Sequence, residues 1–298
     1  MRMRMHRHCL VWLLALVFLL PALAQAYDVL VVMDQHSKIY DTLLLGFRNS
    51  HHFKERILVL QDYVENDLVR IVREDRPAIV LAVGGRALAE TRMIRQTPVV
   101  SVFSYGINMS NPPPNLAQVK MLAPVERYAA LFHALGAKRV GTVLSGTASS
   151  YAVKASEIFR KAGIHLVIRE ARKPGEVAKQ LESLKDTADA LWLLPDPKVV
   201  TSESVEAFAL YSLRHHLPLV SFTEAHLRIG AAAAFAPSLE DLGKQAAETA
   251  GRIMAGDRPT EIEEIPPRKI RLRFNRQVME HLGLPVSPLL HLGGSEAE

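Results

Sequence analysis

Apolar residues along this chain fall into two rhythms. Short unbroken runs of aliphatic and β-branched residues alternate with stretches in which apolar positions recur every three or four residues. The first rhythm marks buried strands and the second amphipathic helices. Runs at residues 27–33 (YDVLVVM), 56–60 (RILVL), 78–83 (AIVLAV) and 98–103 (PVVSVF) predict four strands. Helical spacing predicts helices over 40–47, 66–74 and 87–94 between them.

A proline-rich loop at 111–115 interrupts the series, and the alternation then restarts. Helices are predicted over 124–135, 152–162, 177–184, 204–214 and 239–254, with proline opening the first of them. Strands are predicted over 139–144 (RVGTVL), 165–168, 190–194 (ALWLL), 218–222 (PLVSF), 231–235 and 270–274, and a short helix over 276–282. Strand–helix alternation of this kind implies parallel sheets covered by helices on both faces. Two such series imply an α/β protein of two Rossmann-like lobes with parallel sheets. Residues 289–298 are Gly- and acid-rich and are expected to form a loose tail.

The first 26 residues break the pattern. Arg2, Arg4 and Arg7 form a positive head, residues 9–20 are continuously apolar, Pro21 breaks the run, and Ala24-Gln25-Ala26 supplies small residues. Head, apolar middle and A-x-A exit make a secretory signal peptide. The apolar run falls short of the roughly 20 residues a membrane span needs. Cleavage after Ala26 would leave 272 residues for folding in the periplasm.

The leader also changes the charge. It holds three of the 36 basic residues and no acid, so the remainder carries a formal +2 rather than +5. No basic run with interleaved aromatics argues for nucleic acid. The only cysteine is Cys9, in the leader, which removes thiolate ligands, a cysteine nucleophile and disulfides from the rest.

Ligands of open parallel sheets sit outside the carboxyl ends of the strands. That rule selects Asp34, His36, Ser37 and Tyr40, then Gly84, Gly85 and Arg86, then Ser104 and Tyr105, in the first half. In the second half it selects Ser145, Gly146, Thr147, Ser149 and Tyr151, then Asp196, then Thr223, Glu224 and His226. Gly84-Gly85 after an apolar strand suits either an anion or a tight turn. The Ser/Thr cluster from Ser145 suits either ligand contact or helix capping. Asp196, stiffened between Pro195 and Pro197, suits pairing with an ammonium group. His36, Asp196, Glu224 and His226 lack the close spacing of a metal site. Ser149, His226 and Asp196 lack the G-x-S-x-G elbow of a hydrolase.

Residues 189–197 (DALWLLPDP) resemble the strand and turn of ABC transporter substrate-binding proteins of the tryptophan/tyrosine uptake type. The family's next landmark, P-x-x-x-F-[ST]-E followed by R-x-G-A, reads here Pro218-Leu-Val-Ser-Phe222-Thr223-Glu224 and Arg228-Ile-Gly230-Ala231. Its long helix is similar to Leu239-Glu-Asp-Leu-Gly243 and onward, and its closing segment is similar to residues 266–284, with Asn275 after the strand.

The resemblance implies a periplasmic-binding-protein fold of type I, with lobes of residues 27–122 plus about 230–256 and residues 123–229 plus about 257–288. It implies capture of a small molecule, with an amino acid or related anion as the candidate, in the cleft between the lobes. It implies delivery to an ABC permease in the inner membrane, without catalysis, cofactor or metal, by a monomer. The second lobe would offer Ser145, Thr147, Ser149, Asp196 and Glu224, and the first Ser37, Tyr40, Gly85, Arg86 and Tyr105. Asp196 would hold an amino acid's ammonium group and the helix start at Gly85 its carboxylate. The alternative is an envelope sensor or partner-binding protein with the same shell. Two departures set the first lobe apart. Gly85-Arg86-Ala87 stands where the family usually has Gly-Thr-x-Ala. Ser104-Tyr105-Gly106 and Asn115-Leu-Ala-Gln118 stand where it often has an Asp-Pro turn and a Thr-Gly pair.

Overall fold

The computed structural model describes residues 27–63, 67–104, 112–146 and 150–297. The leader lies outside them. Two sheets, with helices packed on their faces, account for both series of strands.

The first sheet has the order β2-β1-β3-β4-β5, all parallel. Its strands are β1 (Val29–Met33), β2 (Glu55–Val59), β3 (Ile79–Val83), β4 (Val99–Val102) and β5 (Leu116–Gln118). β1, β3 and β4 are buried along their whole length, which is why they read as continuous apolar runs rather than alternating ones. α1 (Lys38–Ser50) covers one face, while α2 (Leu68–Asp75) and α3 (Gly85–Thr91) lie on the other.

The second sheet has the order β12-β11-β10-β9-β8-β6-β7. It is built from β6 (Arg139–Leu144), β7 (His165–Glu170), β8 (Ala190–Trp192), β9 (Leu219–Ser221), β10 (Ala233–Pro237), β11 (Ile270–Phe274) and β12 (Gly294–Glu296). β6 to β10 are parallel, and β11 runs antiparallel to β10. α4 (Val125–Ala134) and α5 (Ser150–Lys161) pack on one face around Trp192, which stacks on Phe159 with ring centroids 5.1 Å apart. α6 (Val177–Glu182) and α7 (Ser202–Arg214) cover the other.

The chain passes between the sheets three times. It leaves β5 through residues 119–123 to reach α4. It leaves β10 at Pro237 and enters α8 (Leu239–Met254), which packs beside α1 on the first sheet. Two glycines permit that close docking: a Cβ on Gly46 would lie 2.7 Å from the Glu240 carbonyl carbon, and one on Gly243 2.8 Å from Phe47 N. The last passage, 262–269, leads into β11, with Ile265 bridged to Val119 on the way.

Two expected boundaries shift. The chain returns to the first lobe after Pro237 rather than near Gly230, because β10 pairs with β9 and β11 inside the second sheet. The final passage begins at Ile262 rather than near residue 257, since Ile262 is still part of the first core. Residues 289–297 are also not a loose tail. Leu289, in α10 (Ser287–His291), is fully buried, and β12 pairs with β11. Arg276, which opens α9 (Arg276–His281), holds Glu296 at 2.9 Å. A buried leucine and an ion pair outweigh the composition that suggested disorder.

Candidate functional site

All three passages touch carboxyl edges. β5 and β10 end there, and β11, antiparallel to β10, begins there with Ile270 opposite Pro237. The carboxyl edges of the two sheets therefore lead into the same connecting segments. This is where strand-end side chains gather.

On the first edge, Asp34 follows β1. Its carboxylate accepts from Ala87 N at 2.5 Å and from Arg86 N at 3.2 Å. Gly84, at φ 108°, makes room for it: a Cβ there would fall 2.7 Å from Asp34 Oδ1. The amides at the start of α3 are thus already satisfied by a carboxylate of this chain, and Arg86 and Ala87 have none to offer a ligand's anion. What Arg86 does offer is its exposed guanidinium, which makes no hydrogen bond or ion pair among the described residues.

Tyr40 is buried, its ring edge-on to Phe103 at 5.6 Å. Burial first, and then the neighbouring Asp34 carboxylate, push its hydroxyl pKa up, so it stays a neutral donor. Ser37 caps α1, accepting from Ile39 N at 3.3 Å. His36 reaches away to Asp62 at 3.1 Å.

Three residues that were not among the expected site residues complete this edge. Gln118 Nε2 donates to Ser104 Oγ at 3.3 Å. Lys120 Nζ donates to Gln118 Oε1 at 2.7 Å and pairs with Glu264 at 2.8 Å. The only sequence signal near them was the departure of Asn115-Leu-Ala-Gln118 from the family's usual pattern, which touches Gln118 alone.

On the second edge, Asp196 follows β8. Its Oδ2 accepts from Ser145 N at 2.7 Å and its Oδ1 from Lys198 N at 3.0 Å, so the half-buried carboxylate is aimed by the backbone on both sides. Ser145 and Asp196 thus come together as expected residues. Glu224 stands nearby but leans toward Arg273 of β11, 3.8 Å away. His226 turns inward, its Nδ1 2.6 Å from the fully buried Ser221 hydroxyl, and burial pushes its pKa down to about 4. That pair fastens the turn after β9 rather than presenting a nucleophile. Thr223 caps the turn by accepting from Ala225 N. Tyr151 donates to Ala123 O at 2.8 Å and so holds the first passage. Tyr105, Thr147 and Ser149 lie outside the described residues.

Among the described residues, no three His, Cys, Asp or Glu side chains are grouped to hold a metal ion, and no helix is long and apolar enough to cross a membrane.

Comparison with known proteins agrees with this architecture. A conserved domain protein from Vibrio cholerae superposes with a TM-score of 0.66 at 18% identity, covering 92% of this chain and 100% of its own. The ABC domain in complex with L-Trp from Streptococcus pneumonia gives 0.67 at 16% identity, covering 90% and 100%. The ligand-free, open form of a substrate-binding protein with adhesive properties from Clostridium difficile gives 0.64 at 17%, covering 87% and 95%. A glucose-galactose binding protein from Geobacillus stearothermophilus, a sugar transporter from Clostridium phytofermentans and a ribose operon repressor protein from Lactobacillus acidophilus share the fold more distantly, with TM-scores of 0.51 to 0.53. A search of curated proteins returns no match. The family model for ABC transporter substrate binding proteins matches residues 42–291, well over half of the chain. The chain therefore belongs to the ABC transporter substrate-binding protein family.

Proposed function

We propose that this is an exported, non-catalytic solute-binding protein that takes up an amino acid or a similar zwitterion between its two lobes and hands it to an ABC permease in the inner membrane. The observation that supports the reading is the convergence of all three passages on the carboxyl edges, with Arg86 following a strand of one sheet and Asp196 a strand of the other. An ammonium group suits Asp196, whose two backbone bonds leave lone pairs free, and a carboxylate suits Arg86. Closing the lobes on such a solute would exclude water and strengthen both contacts. The leader read at residues 1–26 supports export, and family membership supports the permease as partner.

The test starts from native mass spectrometry of protein purified without refolding, which identifies a carried solute. Adding that solute back should raise the melting temperature of the emptied protein. Asp196→Asn keeps an acceptor for Ser145 N but loses the charge, and should abolish the rise while leaving the unliganded melting temperature within a few degrees. Undiminished stabilisation in Asp196→Asn would refute its role.

A further inference from the structure

The hydrogen-bond row Ser104–Gln118–Lys120–Glu264 runs from the first carboxyl edge to the last passage between the sheets, and it has a direction. Lysine carries donors only. The atom of Gln118 facing Lys120 Nζ at 2.7 Å must therefore be its oxygen. Its amide nitrogen then faces Ser104, 3.3 Å away, and donates to the Ser104 hydroxyl oxygen. Ser104 is left with a proton to give, and no described residue accepts it. Glu264, at 2.8 Å from Lys120, holds the ammonium group in place and so fixes the sense of the whole row.

We propose that Ser104 donates a hydrogen bond to an acceptor group of the solute, a carboxylate, and that Gln118 and Lys120 are positioning residues that aim its proton toward the cleft. This rests on the reading of the cleft as a solute site. It assigns the acceptor end of the ligand to the first lobe through residues of the two segments, Ser104-Tyr105-Gly106 and Asn115-Leu-Ala-Gln118, that depart from the family's usual pattern. A decarboxylated amine would meet a donor with nothing to accept from it.

Three substitutions separate polarity from shape. Ser104→Ala removes the donor and should weaken binding of a carboxylate-bearing solute by at least about tenfold, the range of a hydrogen bond to a charged group. Gln118→Leu frees the hydroxyl to turn among its staggered positions, and should cost only about threefold. Gln118→Glu is nearly isosteric but reverses the row. Its carboxylate accepts from both Lys120 and Ser104, drawing the serine proton away from the cleft, so the loss should match or exceed that of Ser104→Ala. A purely space-filling Gln118 would make Glu the mildest change instead.

The probes are matched sets assayed by thermal shift on the purified protein: each standard L-amino acid, its decarboxylated amine and its desamino acid. The inference requires stabilisation by carboxylate-bearing members, absent from the matching amines, with the order Gln118→Leu milder than Gln118→Glu. Stabilisation by amines alone, a Gln118→Glu variant that binds like the wild type, or no response to any carboxylate-bearing member overturns it. Native mass spectrometry decides the binding-protein reading separately, since a carried solute without a carboxylate sinks this inference and leaves that reading standing.

Discussion

Gly243→Ala tests how the second passage is anchored. A Cβ at Gly243 would sit 2.8 Å from Phe47 N and 2.9 Å from the Leu43 carbonyl carbon, with the Leu43 oxygen nearer still. All of these are backbone atoms of α1, so no side chain can swing aside. Ordinary carbon contacts require about 3.5–4 Å, so the two helices must part by about 1 Å. That gap loosens Leu242, Ala246, Ala247 and Ala250, all fully buried on the α8 face. Overpacking costs about 1–3 kcal/mol, and the upper end applies where backbone meets backbone. Alanine returns about 1 kcal/mol through its better helix propensity. The net loss is about 2 kcal/mol, which for a chain of this size lowers the melting temperature by about 4–8 °C. Gly251→Ala on the same helix is the control. Its Cβ would meet the His51 ring, at 2.9 Å from Nε2, a side chain stacked on Phe53 that can shift at a small cost; that cost offsets part of the about 1 kcal/mol alanine returns, so stability should be unchanged or up to about 1 kcal/mol higher. Far-UV circular dichroism follows both lobes. Fluorescence of Trp192, the one tryptophan outside the leader, follows the second lobe alone. Gly243→Ala should shift the dichroism transition at least as much as the fluorescence one. A Gly243→Ala protein melting within 1 °C of wild type would refute the argument that backbone contact holds α8 in place.

Two further predictions concern charge. His226 is held neutral, its pKa pushed down to about 4 from an unfolded value of 6.5. Between those values the unfolded chain binds the extra proton, so this residue's contribution is intact above pH 6.5 and is lost as pH falls toward 4. His226→Gln should therefore flatten the fall in urea midpoint between pH 7 and pH 4.5, and an unchanged difference between the two pH values would contradict the burial argument. Arg268 binds Glu248 at 2.8 Å and Asp241 at 3.4 Å, and the Asp241 side chain is only 7% exposed. Arg268→Met leaves that carboxylate with Lys269 at 3.9 Å as its remaining ion partner, and should cost about 1–3 kcal/mol in urea unfolding at pH 7; an unchanged urea midpoint would contradict the pairing.

The strands were legible because most of the sheet interior is buried on both faces and leaves an unbroken apolar signature. β1, β3 and β6 lie within a residue or two of the runs that predicted them. β5 and β12, three residues each, were not seen. A three-residue strand such as Leu-Ala-Gln or Gly-Ser-Glu carries no period, and its pairing is decided by neighbours distant in sequence. The lobe boundaries slipped for a related reason. The small residues from Ala231 onward do not say which sheet they join, and only their pairing with β9 and β11 settles it. At the site, position was legible and polarity was not. The strand-end rule found Asp34 and Asp196, yet nothing in the sequence told that Asp34 would spend its carboxylate on α3 while Asp196 would be aimed by Ser145 and Lys198.

The fixtures on the passages explain how such a site can exist between two separate cores. Lys120 N bonds Ile265 O at 2.8 Å, and Gln245 of α8 bonds Pro266 O and receives Arg268 N, so both passages are fastened to the first lobe up to those points. Tyr151 takes hold of the first passage at Ala123, and Arg127 of α4 takes hold of the last at Ile270 O, from the second lobe. Between the two sets of fixtures lie Met121 and Leu122 on one passage and Lys269 on the other. Ser238 N meets Lys269 O at 2.9 Å and caps α8, which ties the middle passage to the same point. Any change of angle between the lobes must be absorbed in those few residues, because everything on either side is bonded to one core or the other. Ser104, Gln118 and Lys120 all fall on the first-lobe side of that line and Asp196 on the second, so the solute proposed above would have its two ends held by different lobes.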